Sequence, residues 1–139
     1  MKKYITVALI FVSLVAGLIL LPLEVLAKSE FLKYAQCRRA QGWSEGCVQF
    51  KANTTLELAN NGGVISGTLA NNACMRAQGW SEGCAQFKAG TLVTFNARGG
   101  VITGTVAIDS NLRPKGLSTA KTYKAGTTVT FNEKGEVVR

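Results

Sequence analysis

Arg39-Ala40-Gln41-Gly42-Trp43-Ser44-Glu45-Gly46-Cys47 returns unchanged as Arg76-Ala77-Gln78-Gly79-Trp80-Ser81-Glu82-Gly83-Cys84, a shift of 37 residues. The likeness extends over residues 37–70 against 74–107, with 22 identities in 34 positions. A third, partial copy starts at Tyr123, where Tyr123-Lys124-Ala125-Gly126-Thr127 matches Phe87-Lys88-Ala89-Gly90-Thr91. Periods of about 20–50 residues signal stacked supersecondary units, each too small to bury its apolar face alone. The units are 37–73, 74–110 and a partial 123–139, the last without a cysteine half.

Within a unit the pattern passes from helical to extended. Ser29 is placed to cap a helix running through Glu30 to Arg39, with Gly42 to end it. Asn71 or Asn72 offers the same cap for a shorter helix to Gln78, ahead of Gly79. The period then becomes two: Leu56 and Leu58, Val93 and Phe95, and Val129 and Phe131 each share one strand face. Asn60-Asn61-Gly62-Gly63, Ala97-Arg98-Gly99-Gly100 and Glu133-Lys134-Gly135 read as hairpin turns. Residues 64–69 and 101–108 return as partner strands. The expected fold is mainly β with short helices: an N-terminal apolar helix, then a disulfide-stapled antiparallel β-hairpin repeat meander.

Over residues 50–68, 87–105 and 123–138 the chain resembles MORN-type hairpin repeats, in which an aromatic-Gly segment, a strand, an Asn-Gly turn and a returning strand recur. The Gly-x-Trp and closing Gly pattern of that family is missing, and the family lacks the cysteine-bearing insert. The resemblance implies a scaffold that binds proteins or lipids, and it carries over no catalytic residue.

Met1-Lys2-Lys3 precedes twenty uncharged residues from Tyr4 to Leu23, and Glu24 follows. A basic start, an apolar centre and Val25-Leu26-Ala27 fit a signal peptide cut after Ala27, with Pro22 breaking the helix upstream. The apolar stretch is also long enough to cross a bilayer of about 30 Å as a helix, so an uncleaved membrane anchor through Tyr4 to Leu23 competes with cleavage. Lys2 and Lys3 favour an inside N-terminus, and both readings send residues 28–139 to the periplasm, lumen or exterior.

Four cysteines allow three pairings. Repeat symmetry favours Cys37–Cys47 and Cys74–Cys84, each closing a short loop that contributes about 2–3 kcal/mol. Zinc is the rival reading, but paired knuckles bring cysteines within two to four residues of each other. Thiol redox chemistry would sooner show Cys-x-x-Cys. The sequence holds no His, which removes Ser-His-Asp, Cys-His and His-ligated metal chemistry from this chain, and no cofactor is expected. Ser44 with Glu45, and Ser81 with Glu82, have no third group to orient them for acid–base work. Asn53-Thr54-Thr55 matches the N-glycosylation pattern.

Sixteen Lys and Arg oppose eight Asp and Glu, a net charge of +8. Lys51, Lys88 and Lys124 stand in register after an aromatic residue in all three copies. Stacked copies would align them as a cationic ladder, joined by Arg98 and Lys134, for an anionic polymer, a lipid surface or an acidic protein. The alternative is a solvated charged face that keeps sheet edges apart. Trp43 and Trp80, beside Arg39 and Arg76, offer a stacking face or else cover their own disulfides. Nucleic acid is not an expected partner, since no recognition helix or single-strand motif is visible. The functional expectation is a non-enzymatic structural or binding module on the outer side of a membrane, for instance an accessory subunit. The alternative is a freely secreted binder or inhibitor of an anionic envelope polymer or a protein.

Overall fold

The computed structural model describes residues 2–9 and 23–138, with side chains from Lys28 to Val138. Among these the chain forms strands and turns and no helix. Strands β1 (Lys2–Leu9), β2 (Leu23–Leu32), β5 (Thr54–Leu58), β6 (Val64–Thr68), β9 (Leu92–Phe95), β10 (Val101–Thr105) and β13 (Thr128–Thr130) form one antiparallel sheet, ordered as written. Three small two-stranded hairpins interrupt that order: β3 (Gln36–Arg38) with β4 (Val48–Phe50), β7 (Ala73–Met75) with β8 (Ala85–Phe87), and β11 (Ser110–Leu112) with β12 (Lys121–Tyr123).

Both expected helices inside the repeat domain are strands instead. Of the residues proposed for the first helix, 30–32 lie in β2 and 36–38 in β3 with a bend between, and those proposed for the second include β7. The reason is visible in the burial. A helix would need Phe31, Leu32 and Tyr34 to share a buried stripe, yet Leu32 is 1% exposed while Phe31 and Tyr34 are 47% and 67% exposed. Leu32 instead alternates inward in a strand whose partners, residues 54–58, lie far along the chain. Asn72 caps no helix; its side chain accepts the Ala89 N–H at 2.8 Å. The apolar N-terminal stretch is likewise strand where it is described, in β1 and at the start of β2. Residues 10–22 of the signal or anchor reading lie outside the described residues, and no described helix is long and apolar enough to cross a membrane.

The core lies between the large sheet and the small hairpins. Leu56 and Leu58, Val93 and Phe95, and Val129 and Phe131 all point into it, as their period-two spacing requires. Phe50 and Phe87 descend from the small hairpins and are fully buried against the sheet, each worth about 1.5–3 kcal/mol. They fit because the strand beneath carries Gly67 and Gly104: an added methyl would lie 2.7 Å and 2.5 Å from the respective ring Cδ1 atoms. Backbone bonds tie each small hairpin down, such as Gln41 N–H to Val64 C=O at 3.0 Å and Lys51 N–H to Thr68 C=O at 2.8 Å. The other sheet face is rich in hydroxyls. Thr105 and Thr128 meet at 2.8 Å there, and Thr103 and Thr130 at 3.3 Å.

Both disulfides join as expected, Cys37 to Cys47 and Cys74 to Cys84, with Cα separations of 5.5 and 5.4 Å. The third copy begins earlier than its sequence suggests. Hairpin β11–β12 occupies the place of the stapled hairpins, and in it the Thr122 hydroxyl donates to Asn111 Oδ1 at 2.7 Å. Asn53 has φ +60, at the turn position where Gly90 and Gly126 have φ +77 and +88. Asn is among the residues that tolerate this left-handed conformation, which gives Asn53 a backbone role of its own.

The tryptophans do not simply cover their own disulfides. Each reaches forward into the next repeat. Trp43 Nε1 donates to Gly99 C=O at 2.8 Å, and its ring meets Phe95 edge-on, centroids 6.0 Å apart. Trp80 repeats this on Gly135 at 2.9 Å and Phe131 at 5.7 Å. Gln41 and Gln78 add bonds to the carbonyls of Phe95 and Phe131, at 2.9 and 2.6 Å. Gly99 must be glycine twice over: its φ is +88, and a Cβ would fall on the Trp43 ring. Gly62, at the same turn of the first copy, has φ +86 but nothing within 4 Å of a Cβ. Gly62→Ala should therefore cost only backbone strain, about 1 kcal/mol, while Gly99→Ala adds overpacking and costs about 3 kcal/mol. Urea denaturation of both variants checks this; equal losses would show that the indole seat carries no stability.

Candidate functional site

The residues expected to act together fall at two opposite ends of the sheet. Lys51 bonds through its backbone to Thr68 at the end of β6, and Lys88 to Thr105 at the end of β10. The turns carrying Arg98 and Lys134 follow β9 and β13, at the opposite end of the sheet, where the indoles sit. The structure therefore separates the lysine ladder from Arg98 and Lys134. The lysines recur once per two strands, which places neighbours about 10 Å apart.

All three ladder lysines are exposed. Their local frame repeats: the Thr54 hydroxyl donates to Lys51 C=O at 2.5 Å, and the Thr91 hydroxyl to Lys88 C=O at 2.6 Å. Lys124 differs, since its Nζ lies 3.4 Å from Asp109 Oδ2. Asp109 Oδ1 also accepts the Ala125 N–H at 2.8 Å, the bond that Asn72 makes to Ala89 in the second copy. Substituting Asp for Asn at this position ties the third lysine to an acid. Sequence reading missed this contact, whose only trace is an acid fifteen residues upstream of the lysine.

At the turn end, each stapled hairpin and the turn beside it enclose a groove. The first, about 650 Å³, is lined by Arg38, Arg39, Gln41, Trp43 and Asn61. The second, about 1080 Å³, lies between Trp43 and Trp80 and takes in Arg76, Arg98, Ser81 and Glu133. Trp43 thus borders both grooves. Lys134 sits on the turn that seats Trp80, at exposed position 134. The Ser44/Glu45 and Ser81/Glu82 pairs are exposed in their loops. Among the described residues no cluster of His, Cys, Asp or Glu could hold a metal ion, and the four cysteines are consumed in disulfides.

Two carboxylates titrate low. Asp109 is held below the usual carboxylate value first by the Ala125 N–H and then by the Lys124 ammonium. Glu136 is lowered mainly by the Asn132 side-chain amide, at 3.0 Å, with Arg113 and two lysines assisting. A depressed folded pKa means stabilisation that is complete above the unfolded value, near pH 4, and lost as pH falls through the folded value. Melting temperature should accordingly decline below about pH 4. Asp109→Asn, which keeps the acceptor for Ala125 but cannot titrate, should flatten that decline. Identical acid profiles for the variant and the parent would remove Asp109 from the account.

No protein-family profile, curated protein or solved structure matches this chain.

Proposed function

We propose that residues 28–138 are an exported, non-enzymatic binding module that engages anionic partners through exposed cations held on a rigid sheet. The observation that carries this reading is the pair of disulfides in small hairpins whose cysteines are exposed to solvent. Such bonds persist in oxidising compartments, and small exported domains depend on them. The pairing register adds support for export. Residues 23–27 pair only with β1, and contact with the repeat sheet starts at Lys28, opposite Leu58. A cut after Ala27 would remove β1, with its pairing to Lys28, Ser29 and Glu30, and leave the pairs from β2–β5 onward intact. The boundary fits release into the exterior as well as a retained membrane anchor. The absence of His and the repeated, non-catalytic loop motifs support the non-enzymatic reading. The likeness to MORN-type hairpin repeats suggests the same class of role, a scaffold for protein or lipid contact.

Binding through Lys51, Lys88 and Lys124 would be weak at each contact and strong only in sum. It should also fade as salt shortens the Debye length from about 10 Å at 0.1 M to 3 Å at 1 M. Replacing all three lysines by Gln should abolish sedimentation with phosphatidylserine vesicles at low salt, whereas each single change costs only a few-fold. Of the singles, Lys124→Gln should matter least, because that side chain already pairs with Asp109 at 3.4 Å. Full, salt-independent binding by the folded triple variant would reduce the ladder to a solubility device.

A further inference from the structure

The trough between Trp43 and Trp80 combines two aromatic walls with two guanidinium groups, and nothing in the fold itself uses that combination. The walls are rigid. Each indole N–H is spent on a turn carbonyl, at 2.8 and 2.9 Å, and each ring is braced by a phenylalanine edge. The walls stand on turns two strands apart, hence about 10 Å from each other. Two strands cover close to the length of two rings in an extended polysaccharide.

The floor leaves little other chemistry open. Gln78 donates to Phe131 C=O, and its oxygen accepts from Asn96 at 3.2 Å. Asn96 Oδ1 in turn accepts the backbone N–H groups of Arg98 and Gly100, at 3.0 and 2.8 Å. The Arg76 side chain donates its Nε to Gly83 C=O at 3.5 Å, and among the described residues no hydrogen bond engages the outer nitrogens of its fork. Arg98 forms no ion pair among the described residues, and its backbone is held by the Asn96 bond and by close packing against Gly42. The polar specificity of the trough thus rests on two forks whose geometry matches carboxylate. Glu133 on the rim opposes them with a single charge.

We infer that this trough binds an acidic saccharide, its sugar rings lying along the groove against Trp43 and Trp80 with their carboxylates on Arg76 and Arg98. The proposal deepens the reading of the chain as an exported binder of anionic partners, and rests on it. A saccharide chain is favoured over an acidic peptide because a second groove continues on the far side of Trp43, so that a regular polymer meets an aromatic face once per repeat.

The test is titration of the full oxidised chain with hexagalacturonate, followed by tryptophan fluorescence, with maltohexaose and hexaglutamate as neutral and peptide controls. Hexagalacturonate should quench saturably and maltohexaose should not. Arg76→Gln and Arg98→Gln should each weaken binding about tenfold, the scale of one charge-assisted hydrogen bond, with melting curves unchanged. The Lys51/Lys88/Lys124 triple Gln variant, altered at the far end of the sheet, should bind hexagalacturonate as the parent does. Equal binding of maltohexaose, or indifference to both arginine changes, overturns the site. Equal or tighter binding of hexaglutamate with the same arginine dependence overturns the saccharide and leaves the anion-binding module standing. Loss of vesicle binding together with silence toward every acidic ligand ends both.

Discussion

An indole N–H aimed at the carbonyl of a turn glycine in the following repeat is the contact on which the arrangement of units depends. It accounts for four of the nine residues of the repeated nonapeptide at once. Trp43 makes the contact, and Gln41 holds the strand beside it. Gly42 lets the loop press against the backbone of residues 97 and 98, where a side chain would collide. Cys47 closes the loop that presents the ring. On the receiving side, Gly99 gives the ring room and Phe95 gives it an edge. The hydrogen bond and the aromatic edge are each worth about 1 kcal/mol, but they act between units and so align whole hairpins.

The legible parts of the fold were those written in local chemistry. Turn glycines at 62, 99 and 135 announce themselves because positive φ is forbidding to other residues, and all three have it. Strand alternation in Val93-Thr94-Phe95 and its counterparts is equally direct. The disulfide pairing followed from repetition. Residues 29–39 mislead because Ser29, a short apolar-rich run and Gly42 imitate a capped helix, whereas the deciding partner, β5, begins twenty-two residues beyond the end of β2. Local propensity loses to a long-range pairing of this kind.

The same distinction explains the site. Nothing in the local sequence links Trp43 to a glycine 56 residues later, so the seam was invisible until the units were stacked. The third copy is legible only from Tyr123 because its hairpin carries Asn111 and Ala120 where the stapled copies carry their cysteines, and Asn111 is held by Thr122 across the pair. Lysine register was readable, since it is a property of spacing. The separation of Lys51, Lys88 and Lys124 from Arg98 and Lys134 was not, because it depends on which end of each strand faces which turn. The protein thus presents two cationic surfaces of different character: a row of flexible ammonium groups at one end, and guanidinium forks between aromatic walls at the other.

The two indole seams are near copies of each other, which makes the junctions interchangeable. A further 37-residue unit inserted between the first and second copies would bring its own tryptophan for the turn ahead and its own glycine for the ring behind. Removal of one whole unit would leave a seam of the same chemistry. Unequal recombination between the near-identical segments around 39–47 and 76–84 therefore changes the length of the array without breaking its joints. In such a protein the number of indole-bordered grooves becomes a heritable quantity that shifts in whole steps.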